Sequence, residues 1–195
     1  MTRSLSDDRP DEPADRTESG GDAVADAEPA AVTGGAVPDD PGRIKVGVGE
    51  FAVTSDDAVL TTSGLGSCVA VALVDERAGV RGLLHAMLPA GEGRTTAVSR
   101  PAKYVDTGID SLIGALDDAG ADPRRLEARV AGGAEMLDLT DAVGPRNVER
   151  VGEVLDAAGV PVVASDVGDA VGRTVRFGPD GRLVVRAADG FERAI

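Results

Sequence analysis

The sequence predicts an α/β fold: a layered sandwich of mixed, largely antiparallel β-sheet with two main flanking helices. Three observations carry this expectation. Apolar runs of strand length recur between clusters of Gly, Asp and Ser. Two longer segments repeat apolar residues at helical spacing and end in glycine. The order is strands, helix, strand, helix, strands, which suits hairpins layered against helices better than strict βαβ winding.

The elements follow in order. Lys45–Gly49 and Ala58–Thr62 read as short strands on either side of a Ser-Asp-Asp turn. Val69–Val74 is continuously apolar, Asp75–Gly79 is a turn, and Val80–Leu88 completes a hairpin whose strands are largely buried. Pro101 opens a helix with Val105, Ile109, Leu112, Ile113 and Leu116 on one face, and Gly120 closes it. Leu126, Ala128 and Val130 alternate with charged residues, so a half-exposed strand follows. Pro145 starts a second helix with Val148, Val151, Leu155 and Ala158 inward and Gly159 at its end. Val160–Ala164 reads as another buried strand. Arg173–Phe177 and Arg182–Ala187 flank the turn Gly178-Pro179-Asp180-Gly181. No internal repeat is visible.

Composition divides the chain in two. Residues 1–43 hold 11 Asp/Glu against 4 Arg and five of the 11 prolines, which is half of the chain's net charge of −14. With no aromatic and few large aliphatic residues, such a stretch buries too little apolar area to offset its chain entropy. It is expected to be a disordered acidic tail, leaving residues 44–195 as the folded domain. Among 195 residues there are 20 Lys/Arg against 34 Asp/Glu, and the lysines are only Lys45 and Lys103. That bias resembles proteins of salt-loving organisms, whose dense carboxylates keep a surface hydrated. It also repels phosphate backbones, so nucleic acid is not expected as the main partner. Arg124-Arg125 is too small a basic patch to reverse this. The apolar runs are too short to span a membrane, and MTRSLSDDRPDEPADR lacks the apolar stretch of a secretory signal.

One Cys and one His bound the chemistry. A single Cys forbids an intrachain disulfide, and a reducing, cytoplasmic setting is expected. The pair supplies too few soft ligands for a structural zinc site, so no metal is expected. Cysteine chemistry must therefore use Cys68, and imidazole chemistry must use His85. Cys68 ends the segment Thr62-Ser63-Gly64-Leu65-Gly66-Ser67-Cys68. Gly64 and Gly66 let the backbone turn sharply before the thiol, and the loop around Ser67 can direct backbone N–H groups at a developing oxyanion. His85 lies on the partner strand of the hairpin, but a one-residue slip of register would turn its ring to the opposite face. Two readings stand from the residues alone: a thiol–imidazole pair, or a small buried Cys beside a core His. Other candidates are weaker. Gly47-Val48-Gly49-Glu50-Phe51-Ala52 mimics a dinucleotide fingerprint without the βαβ context, so no cofactor is expected. Ser67 lacks the Gly-x-Ser-x-Gly elbow of a serine nucleophile. Gly132-Gly133 either lines a site or only turns the chain.

At these residues the sequence resembles the CheD family of chemoreceptor glutamine deamidases. The likeness runs through Lys45-Val46-Gly47 with Gly49-Glu50, then Thr62 with Gly64 to Val71, and His85-Ala86-Met87-Leu88-Pro89. It continues through Lys103 to Thr107, Ala131 to Met136, Arg146-Asn147-Val148 and Gly172 to Phe177. The sequence departs from the family pattern at Ser63, where Leu is common, and at Asp166–Asp169, which keeps only part of a Gly-Gly turn. The resemblance implies a cysteine amidohydrolase that deamidates glutamines of methyl-accepting chemoreceptors, with Cys68, His85 and Thr62 as its catalytic residues. It also implies a cytoplasmic protein near receptor arrays and a CheC-type phosphatase as partner. A binding regulator of that phosphatase is the alternative role, and a general cysteine peptidase or acyltransferase a weaker one.

Overall fold

The computed structural model describes residues 33–34, 38–40, 42–91, 95–135 and 142–195. Most of the expected acidic tail lies outside these residues. Within it, Thr33–Gly34 (β1) and Pro38–Asp40 (β2) are short strands. The remaining strands are Arg43–Lys45 (β3), Glu50–Thr54 (β4), Val59–Leu65 (β5), Val69–Asp75 (β6), Val80–Ala86 (β7) and Glu127–Gly132 (β8). They continue with Val162–Val167 (β9), Arg173–Phe177 (β10), Leu183–Ala187 (β11) and Glu192–Ala194 (β12). The helices are Thr95–Ser99 (α1), Val105–Asp118 (α2) and Val143–Ala157 (α3).

The strands divide between two sheets, ordered β1-β4-β7-β6-β8-β9 and β12-β11-β10-β5-β3-β2. Among the described strands, only β3–β5 and β8–β9 pair in parallel. The mixed, largely antiparallel sandwich with two main flanking helices is therefore present. Its three layers follow from the alternation of side chains along a strand. Val69, Val71 and Leu73 of β6 join the core under the helices, with Ile109, Leu112 and Leu116 of α2 and Val151 and Leu155 of α3. Ala70, Ala72 and Val74 face the other way, into the core between the sheets, where they meet Leu60, Leu65, Val175 and Phe177. A strand covered on both faces is apolar wherever no polar partner reaches it, which is why Val69–Val74 reads as an unbroken run and Asp75, the last residue of β6, is paired. Gly82 lets α2 approach β7, since a Cβ there would lie 2.6 Å from Leu112 Cδ1.

Several sequence expectations shift. Lys45–Gly49 is not one strand: β3 stops at Lys45, and the chain turns through Gly49 at φ 73° into β4. β3 and β5 pair in parallel because β4 departs to the other sheet between them. Pro101–Lys103 forms a separate 3₁₀ turn, since Tyr104 is extended and α2 begins only at Val105. α3 begins at Val143, with Pro145 inside its first turn, and Ala158 is its exposed C-cap. The strand expected over Val160–Ala164 is β9, and its Val162 and Val163 are 44% and 47% exposed because β9 is an edge strand.

Polar ties fix the sandwich at both ends of the hairpin. At the β6–β7 turn, Asp75 is fully buried and accepts from Arg77 N, Ala78 N and Asp122 N. Arg125 closes the cluster with Nη2 at 2.6 Å from Asp75 Oδ2, so this guanidinium serves an ion pair and not a basic patch. The pairing holds the Asp75 carboxyl far below the usual carboxylate range. At the other end, Asp166 of β9 accepts from Arg173 Nε of β10 at 2.9 Å and Arg193 Nε of β12 at 2.7 Å, joining the two sheets.

Candidate active site

The register of the β6–β7 hairpin settles where the imidazole points. Asp75 pairs with Val80 across the turn, and Ala70 pairs with His85. His85 therefore shares its face with Leu83, the face turned toward the second sheet. Cys68, two residues before Ala70, packs against the same inter-sheet core. It sits diagonally from His85 on that face, and diagonal positions of about 7–8 Å are bridged by long or aromatic side chains. Cys68 is half-buried at the end of its loop, whereas His85 is fully buried.

Thr62 reaches His85 from the opposite sheet. Its Oγ1 lies 2.7 Å from His85 Nδ1 and 2.6 Å from the Val46 carbonyl oxygen. The hydroxyl has one proton, and a carbonyl can only accept, so Thr62 donates to Val46 O. It must then accept from Nδ1–H of His85. This assigns the tautomer from the hydrogen-bond pattern and leaves the lone pair on Nε2. Nε2 is buried and has no hydrogen-bond partner among the described residues.

Burial tunes both groups toward their neutral forms. It pushes the Cys68 thiol up, against an opposing hydrogen bond from its own backbone N–H. Burial also brings His85 down to about 4. Burial thus favours the thiol over the thiolate and the imidazole over the imidazolium. The imidazole is an acceptor waiting for a proton.

The loop before Cys68 is held by its carbonyls. Gly66 O accepts from Ala134 N at 2.8 Å, Ser67 O from Asn147 Nδ2 at 2.8 Å, and Cys68 O from Gly133 N at 2.7 Å. Gly64, at φ 77°, is the extra residue of a bulge near the end of β5, just before the loop. Gly132 has a requirement that sequence left ambiguous. At φ 104°, it would place a Cβ 2.4 Å from Cys68 O, so no side chain fits. Gly132-Gly133 is therefore a seat for the cysteine backbone as well as a turn. Asn147 entered the sequence reading only as part of the family likeness, and its buried contact with Ser67 was not legible there. Among the described residues, no three His, Cys, Asp or Glu side chains are grouped to hold a metal.

Comparison with known proteins now adds to the geometry. The model of the family described as CheD chemotactic sensory transduction matches residues 87–187. A probable chemoreceptor glutamine deamidase CheD of Haloarcula marismortui is 46% identical over 153 residues, covering 76% of this chain and 87% of that protein. The chemoreceptor glutamine deamidase CheD of Thermotoga maritima is 41% identical over 150 residues, covering 76% of this chain and 94% of that protein. A probable chemoreceptor glutamine deamidase CheD of Natronomonas pharaonis is 39% identical over 158 residues, 78% of this chain and 93% of its own length.

Proposed function

The chain belongs to the CheD family, and from that premise we propose that it is a chemoreceptor glutamine deamidase with Cys68 as nucleophile. The observation that carries the reading is the ordered imidazole: Thr62 fixes Nδ1–H of His85, and the free lone pair of Nε2 lies on the face that Cys68 shares. The names of the relatives supply the substrate, a glutamine of a chemoreceptor.

The chemistry proceeds by acyl transfer. As Sγ of Cys68 attacks the carboxamide carbon, its proton passes to Nε2 of His85. Because burial favours the neutral pair, proton transfer accompanies attack. The carbonyl oxygen becomes an oxyanion. Backbone N–H groups of Ser67 and Cys68, in the loop between β5 and β6, stabilise it. Support for this comes from the carbonyls: in a trans peptide the N–H points opposite to the C=O, and Gly66 O and Ser67 O are tied to Ala134 and Asn147. The Ser67 and Cys68 N–H groups are therefore directed away from those partners. The C–N bond then breaks, and His85 gives its proton to the departing ammonia. Water, deprotonated by His85, attacks the thioester and releases glutamate and the thiol. Thr62 orients the imidazole through both steps.

Incubation with a receptor fragment should release ammonia and raise its mass by about 1 Da per modified glutamine, the signature of amide hydrolysis. Cys68→Ala should abolish both, and retained turnover would reject the cysteine mechanism. A CheC-type phosphatase remains the expected partner, at receptor arrays on the cytoplasmic side. Its co-elution with Cys68→Ala, together with full signalling by that variant, would favour the binding-regulator role instead.

A further inference from the structure

The β6–β7 ladder ends at the Val69–Ala86 pair. Cys68 lies one residue beyond it on one strand, and His85 one residue inside it on the other. Past that pair the ladder no longer joins the strands, and their backbone carbonyls need partners from elsewhere. Asn147 of α3 supplies one for both. Its side chain is fully buried, and its Nδ2 donates to Ser67 O at 2.8 Å and to Met87 O at 3.2 Å.

Both partners are carbonyl oxygens, so the amide nitrogen must face them and the orientation of the amide is fixed. Its Oδ1 is then left buried without a hydrogen-bond partner among the described residues. The unpartnered Oδ1 costs stability, a cost an apolar side chain would avoid only by leaving the Ser67 and Met87 carbonyls without this donor. What an apolar side chain cannot do is hold two diverging carbonyls together. One of those carbonyls belongs to the peptide that joins Ser67 to Cys68, and the other lies two residues after His85.

We infer that Asn147 is a positioning residue, an amide clamp that takes over where the ladder ends and sets the distance between the Cys68 thiol and the His85 imidazole. The inference rests on the reading of Cys68 and His85 as nucleophile and base. Asn147 touches neither reacting group; it acts through the Ser67–Cys68 peptide and the end of β7. It belongs to α3, whose buried Val151 and Leu155 pack into the core shared with α2 and the first sheet.

Cys68 is the only cysteine in the chain, so alkylation by iodoacetamide reports on it alone. The rate is measured against pH for the full-length wild type, Asn147→Ala, Asn147→Asp, His85→Ala and Leu155→Ala, with folding checked by circular dichroism. Asn147→Ala should move the midpoint of the alkylation profile to that of His85→Ala. It should also lower kcat about 10- to 100-fold, as a misplacement near 1 Å does, while KM stays within about twofold. Leu155→Ala opens a cavity under the same helix and should lower the melting temperature without moving the midpoint. In Asn147→Asp an ionised carboxylate faces two carbonyl oxygens, whereas the protonated acid restores one donor. Its rate relative to Asn147→Ala should therefore rise as pH falls.

A wild-type alkylation profile and kcat in Asn147→Ala would overturn the inference, as would an equal midpoint shift in Leu155→Ala. If Asn147→Ala does not fold, the Asn147→Asp ratio decides: a ratio to wild type that stays flat with pH overturns the clamp. The two readings fail separately. A wild-type profile in His85→Ala removes the thiol–imidazole pair itself, while a shift in His85→Ala but not in the Asn147 variants removes only the clamp.

Discussion

Thr62 and His85 meet across the sandwich, one from each sheet, with Oγ1 of the threonine 2.7 Å from Nδ1 of the imidazole. The contact joins the two sheets that the loop before Cys68 connects, β5 in one and β6 in the other. Because Thr62 also donates to Val46 O at 2.6 Å, its own proton is committed, and it can only receive the proton of Nδ1. A single hydroxyl thus selects the tautomer that leaves the lone pair on Nε2, which has no hydrogen-bond partner among the described residues. The second sheet is in this sense part of the candidate active site.

Replacing that hydroxyl tests its role directly. Thr62→Val keeps the shape but leaves Nδ1–H of a buried imidazole unpaired, so the ring loses both its tautomer preference and its orientation. Deamidation of a receptor fragment should fall about 10- to 100-fold in kcat. Thr62→Ser should retain most of the activity, because the oxygen remains. Equal activity in the valine and serine variants would remove Thr62 from the mechanism.

The depressed His85 pKa makes stability depend on pH in a defined direction. Burial lowers the imidazole from 6.5 to about 4, so between those values the unfolded chain binds a proton that the folded protein does not. The contribution is complete above pH 6.5 and is lost as pH falls toward 4. Denaturant titrations of the wild type should therefore show stability declining across that window. The decline should be shallower in His85→Ala, and identical slopes would contradict a buried neutral imidazole.

Two glycines should respond in opposite ways to alanine. At Gly132 the φ of 104° and the 2.4 Å approach of a Cβ to Cys68 O both forbid a side chain. Gly132→Ala should destabilise the fold and displace the cysteine backbone, with ammonia release falling more than the folded fraction does. Gly114 lies in α2 with nothing within 4 Å of its Cβ position. Gly114→Ala should raise stability by about 0.5–1 kcal/mol without changing turnover. Thermal melts and ammonia assays on the same samples distinguish the two.

The Asp75 cluster lies at the far end of the hairpin from the thiol and should affect stability alone. Asp75→Asn removes the charge that Arg125 pairs with and should cost about 1–3 kcal/mol, toward the low end because Arg125 is 35% exposed. The folded carboxyl titrates below its unfolded value, so its contribution is present above about pH 4, the unfolded carboxylate pKa. That contribution disappears as pH falls through the lower folded value. The difference between wild type and Asp75→Asn should be constant near neutrality and shrink in acid. Turnover per folded molecule should be unchanged.

How much was legible in the sequence depends on the range of the interaction. The β6–β7 hairpin, the apolar face of α2 and the β10–β11 turn are local, and their residue patterns state them. The exposed edge strand β9 misread as buried because apolar side chains do not reveal whether a further strand lies beside them. β4 was obscured because Gly49 turns the chain out of one sheet and into another. Asn147 and Gly132 approach the Cys68 loop from 79 and 64 residues away in sequence, and no local pattern reports such a contact.

One Cys and one His fixed, from the sequence by itself, which thiol and which imidazole any such chemistry must use, and the motif likeness pointed to the CheD family. The division of the strands into two sheets, the face on which His85 sits and the carbonyl that orients Thr62 were decided only by tertiary structure. The reason is physical. Residue type determines what a group can donate, accept or titrate, but the side to which it points depends on register, and register is fixed by packing between distant segments.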